Sequence, residues 1–110
     1  MPMARSGAGD HAAEGFGRLE KELQAERAAA LVRIAGTLED AVLALARLVP
    51  PPPGDRRAAA LYRARHHELR ERALRYRWYL EVQRESVGIT RHEGLDELYP
   101  IPPALTPDPE

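Results

Sequence analysis

The sequence predicts an all-α fold, an antiparallel two-helix hairpin with a short C-terminal helix, and three observations carry that prediction. Four consecutive prolines at 50–53, followed by Gly54 and Asp55, divide the 110 residues into two segments of nearly equal length. Both segments place apolar residues at spacings of three and four, the mark of a helix that buries one stripe. Aromatic residues are only 5% and charged residues 30% of the chain, and Ala, Leu, Arg and Glu dominate, which suits long helices and leaves few strand formers.

Residues 1–13, with Ser6, Gly7 and Gly9, read as a flexible leader, and Asp10 offers an N-cap oxygen. Gly15 and Gly17 weaken the next turns, so a first helix is expected over about 14–49 and firm from Arg18. Its stripe is Phe16, Leu19, Leu23, Arg27, Leu31, Ile34, Leu38, Ala41, Leu45 and Leu48. From Leu31 the spacing is heptad-like; before it, a run of four-residue steps centred on Arg27 is a stutter. Gly36, with Ala28, Ala29, Ala30 and Ala35, suggests close helix approach.

Residues 50–54 form the connection. The second helix is expected over about 55–87, capped by Asp55 and stopped by Gly88. Its stripe is Tyr62, His66, Leu69, Ala73, Tyr76, Leu80, Gln83 and Val87, with Gln83 as a polar seam position that fixes register. A loop centred on Pro51 and Pro52 pairs Ile34 with Leu69, Arg27 with Tyr76 and Leu23 with Leu80. Thr90 and Glu93 have capping-box spacing, so a short third helix is expected over about 91–98, ended by Pro100, Pro102 and Pro103. Its apolar residues suggest that it folds back over the open end of the hairpin. The hairpin domain thus covers 14–105, and 106–110 read as a disordered tail.

The stretch from Trp78, a Trp-x-x-x-Val-Gln-Arg-Glu-x-x-Gly pattern ending at Gly88, is followed by Tyr99-Pro100-Ile101-Pro102. Together with the Glu-Leu-x-x-Glu-Arg-Ala-Ala-Ala-Leu run after Leu19, it resembles a family of short uncharacterised bacterial helical proteins. The resemblance covers about 80 residues, from Leu19 to Pro102. It implies a bacterial source and a helical fold, and no activity, cofactor or catalytic residue.

Several chemistries lack their residues. The chain has no cysteine, hence neither disulfide nor thiolate metal site. His66, His67 and Glu71 lie close in sequence, but Glu-x-x-His and His-Glu-x-x-His are both absent, and seam or surface histidines are the better reading. Ser6, Thr37, Ser86, Thr90 and Thr106 lack the His and acid partners of a nucleophile. No metal, cofactor or catalytic residue is therefore expected. The segment before Ala13 has one arginine and no apolar run, unlike a secretory signal, and no stretch approaches a membrane span, so a cytoplasmic protein without membrane contact is expected.

Two surfaces remain. Trp78 and Tyr79, with Leu98 and Tyr99, are candidates for docking a protein partner, since amphipathic rings give large contact area at low entropy cost. From Asp55 to Arg91 ten arginines stand against five acids, and an arginine-rich helix can track nucleic-acid phosphates, with Arg63, Arg70, Arg77 and Arg84 as the candidates. Glu68 with Arg72 and Glu71 with Arg75 have helical pair spacing, which answers part of this charge locally. Second apolar positions, Val32, Ala35, Val42 and Val49 on one helix and Leu61, Leu74 and Trp78 on the other, suggest a homodimer forming a four-helix bundle. The expected function is a non-enzymatic interaction or adaptor protein; the alternative is a nucleic-acid-binding or regulatory helical protein.

Overall fold

The computed structural model describes residues 8–106. It contains α1 (Ala8–Ala46), α2 (Arg56–Ser86) and α3 (Leu95–Leu98), with α1 and α2 packed as a hairpin. Its radius of gyration is 23.5 Å, against about 13 Å for a compact domain of this length. The molecule is a rod, and its core is a narrow seam. No helix among the described residues is long and apolar enough to cross a membrane.

The helix boundaries follow from local chemistry. Among the residues of the expected leader, 8–13 are helical, so Asp10 lies within the first turn of α1 instead of ahead of it; residues 1–7 lie outside the described residues. Gly15 and Gly17 do not interrupt the helix, because a glycine lowers helix stability by about 1 kcal/mol without forbidding helical dihedrals. At the other end, α1 stops at Ala46, three residues before the expected Val49. The residue before a proline is driven out of the α region; Pro50 acts on Val49, and Leu48 closes the helix with a tightened bond to the Leu45 carbonyl at 3.3 Å.

Asp55 caps α2 by accepting from the Ala58 N–H at 3.0 Å. Gly88, at φ +91°, ends it: the N–H of Ile89 reaches back to Arg84 O at 2.9 Å and that of Gly88 to Glu85 O at 3.0 Å. That left-handed turn reverses the chain and fixes where the C-terminal segment goes. The expected capping box at Thr90 and Glu93 is not used, because α3 starts from Gly94 at φ +88° with no side-chain cap, and its helix covers only Leu95–Leu98.

The core consists of Leu38, Ala41, Val42 and Leu45 from α1, Leu69, Ala73 and Leu80 from α2, and Leu95 from α3. His66 is buried in the same seam. From Leu31 onward the expected stripe therefore faces the core, with Leu38, Ala41 and Leu45 buried and Leu31, Ile34 and Leu48 partly buried, but Phe16, Leu19 and Leu23 are 64%, 52% and 42% exposed. The register explains the difference. Gln83 lies in a groove that runs from Leu23 to Arg33 on α1, whereas the expected pairing sets it level with Glu20, so α2 is displaced along α1 by about two helical turns. Prolines 51–53 lie beside Ala59, Ala60 and Arg63, so the extended linker takes up the first turns of α2 as its neighbours. α2 consequently ends level with the turn at Leu23 to Arg27.

Gly36 is exposed, and a Cβ there would meet nothing within 4 Å. The close approach expected at this residue is absent. Gly36→Ala is expected to stabilise the fold by about 0.5–1 kcal/mol through helix propensity, read as a higher urea midpoint; a lower midpoint would reveal a contact at this position.

Candidate interaction surface

After Gly88 the chain runs back along α2 toward the loop, and one row of arginines holds it there. Arg84 donates through Nη2 to Arg91 O at 2.7 Å and through Nε to His92 Nδ1 at 3.2 Å. Arg77 pairs with Asp96, Arg70 Nε donates to Pro102 O at 2.9 Å, and Arg63 Nη1 donates to Thr106 O. Seven residues of helix rise about 10.5 Å, and four residues of extended chain span about 12 Å. The two match over the last step, from Pro102 to Thr106, whereas the steps from His92 to Asp96 and from Asp96 to Pro102 are four and six residues long and include the α3 turn. Prolines contribute carbonyls with no competing N–H of their own, so donors with several N–H groups suit them.

The segment is anchored on its other side by apolar packing. Leu95 is 3% exposed, and Tyr99 and Ile101 pack against the same core. His92 is oriented from both sides: its Nδ1 accepts from Arg84, which puts the ring proton on Nε2, and Nε2 donates to Glu85 Oε1 at 3.1 Å. The C-terminal segment therefore lies along the flank of α2, and does not close the open end as expected. Thr106, expected in the disordered tail, bonds Arg63; residues 107–110 lie outside the described residues.

Each of the four arginine candidates is thereby in contact with the C-terminal segment, and Arg77 also pairs with Glu81 at 3.3 Å. The expected pairs of Glu68 with Arg72 and Glu71 with Arg75 do not form. Glu68 pairs with Arg65 at 3.1 Å, Glu71 lies 3.9 Å from Arg70, and the Arg72 guanidinium sits over the Tyr76 ring at 5.0 Å. An arginine offered a ring face gains a cation–π contact, which competes with an exposed ion pair worth little in water.

The aromatic candidates divide. Trp78 is 59% exposed and Leu98 71% exposed, and Tyr79 is partly exposed, whereas Tyr99 is half-buried against the core. Tyr79 stacks edge-on to Tyr76 at 5.2 Å and lies 5.6 Å from Trp78, so these rings are held by one another on a rigid helix. Leu74 and Val82, also exposed, stand one turn before and one turn after Trp78. Sequence reasoning grouped Leu74 with Trp78 as second apolar positions but left out Val82, although its four-residue spacing from Trp78 is a readable signal. Among the described residues no group of three or more His, Cys, Asp or Glu side chains is arranged to hold a metal ion.

The chain matches no known protein family, no curated protein and no solved structure. Its functional reading rests on its own geometry.

Proposed function

We propose that the protein is a non-enzymatic interaction or adaptor protein that docks a protein partner on the patch formed by Leu74, Trp78 and Val82, with Tyr79 and Leu98 at its edges. The observation that carries this reading is Trp78 itself, the chain's one tryptophan, 59% exposed on a helix whose opposite face is locked in the core. Leaving a large indole in water forgoes the hydrophobic gain of burying it, about 2–3 kcal/mol for a side chain of this kind. Rigid exposed aromatics are where protein interfaces concentrate their affinity. The nucleic-acid alternative would need Arg63, Arg70, Arg77 and Arg84 to turn outward, and the side chains of Arg70 and Arg77 are only 25% and 18% exposed.

The test is affinity capture with the full chain, followed by titration of the purified partner against Trp78 fluorescence. Binding is expected to shift the emission to the blue, and Trp78→Ala, titrated by calorimetry since it lacks the fluorophore, to weaken binding by about 2 kcal/mol or more, roughly thirtyfold in Kd. An affinity unchanged by Trp78→Ala, or one that falls steeply as salt rises, would overturn this reading in favour of another face or of phosphate binding.

A further inference from the structure

We propose that the N-terminal stretch of α1, from Ala8 to Leu23, is the seam for a second copy of this chain, joined antiparallel about a two-fold axis near Gly17 and Arg18. Phe16, Leu19 and Leu23 are exposed, yet they continue the α1 stripe that Leu31, Ile34, Leu38 and Ala41 bury further along the same helix. The stripe is one continuous interface of which α2 covers only part, because α2 ends level with Leu23 to Arg27. No described segment of the chain returns to cover the rest: the residues after Gly88 run toward the loop, and Thr106 bonds Arg63 there.

A second copy fits for three reasons. Ala12, Phe16, Leu19 and Leu23 follow a four-three-four spacing that reads the same in reverse, so antiparallel pairing sets Phe16 against Leu19 and Ala12 against Leu23 of the second copy. The flanks tolerate it: Glu20 then faces Ala13 and Glu22 faces Gly15, so no acid meets an acid. Gly15 has open space around its missing Cβ in the single chain and gives the approaching helix room. The length also fits. The partner's α1 begins where α2 ends, bringing its positive N-terminal dipole end to the negative C-terminal end of α2. The joined molecule is an end-to-end rod, unlike the side-by-side four-helix bundle that the second apolar positions suggest. Those positions do not form one face in any case: Val32 and Val49 are exposed and Val42 is buried.

Sedimentation of the full chain across a concentration series tests this, with circular dichroism as the check on folding. A dimer is expected by about 200 µM, the range suited to a contact this small. Leu19→Glu should raise its dissociation constant at least tenfold while leaving the helical signal intact, and Val32→Glu should not change it. Since the chain has no cysteine, an Arg18→Cys variant carries one spin label, and the two labels of a dimer should lie close across the axis. A monomer throughout the series would overturn the proposal, as would a dimer insensitive to Leu19→Glu or one with distant labels. A dimer lost in Val32→Glu but kept in Leu19→Glu would show side-by-side packing.

Discussion

Leu38→Ala is expected to remove about 3–5 kcal/mol of stability, enough to leave much of the hairpin unfolded at room temperature. Leu38 is fully buried and is the largest side chain that is. Deleting a core leucine to alanine loses its transfer free energy and leaves a cavity that a packed interior refills only in part. The loss falls on a core of eight small and medium apolar residues, in a chain whose elongated shape buries less surface than a compact domain would. Since folded domains have only about 5–15 kcal/mol in total, a loss of this size is a large share. Urea denaturation followed by circular dichroism reads it. Val32→Ala, at a position 73% exposed, should stay within about 0.5 kcal/mol of the parent. A Leu38→Ala loss below about 1.5 kcal/mol would mean that α1 and α2 slide together to fill the space.

That seam was the most legible part of the sequence. Heptad spacing picks out Leu38, Ala41, Leu45, Leu69, Ala73 and Leu80, all buried, because a repeating pattern over several turns depends on helix geometry alone. The proline run, the Asp55 cap and the Gly88 stop are local too, and each acts where expected. Register was less legible, because it depends on how the extended linker at 51–53 lies against α2, a contact that no periodicity encodes. The shift of about two turns is what left Phe16, Leu19 and Leu23 without a partner in the chain. The C-terminal segment was misread for a related reason. Its apolar residues showed that it packs somewhere, and the arginine excess of the second helix singled out Arg63, Arg70, Arg77 and Arg84 as candidates. That each is the other's partner is a relation between residues 7 to 43 positions apart, and neither pattern alone contains it. The aromatic candidates separate likewise: Trp78 and Tyr79 lie on a helix face that spacing defines, whereas Tyr99 follows Leu95 into the core.

Leu95→Asp should detach the C-terminal segment while α1 and α2 remain paired. A carboxylate at a site 3% exposed within the apolar core carries a desolvation penalty of at least several kcal/mol unless the segment leaves. The arginine contacts cannot hold it alone, since hydrogen bonds and ion pairs at partly exposed positions contribute about 1 kcal/mol or less each. Amide exchange should show the release: the N–H groups of Leu98 and Tyr99, bonded to Gly94 O at 3.0 Å and Leu95 O at 2.8 Å, are expected to exchange at least a hundredfold faster, while those in the middle of α2 change little. Release also uncovers the arginine row. Four guanidinium groups on one flank, about 10.5 Å apart, then become available to phosphates, and Leu95→Asp should bind single-stranded DNA more tightly than the parent. Its affinity should fall with salt at a log–log slope approaching about −3 for four contacts on a single strand. Fast exchange with no gain in DNA binding would show that Glu81, Glu85 and their neighbours neutralise the row even when the segment is gone. Slow exchange would show that Tyr99 and Ile101 are the stronger anchors.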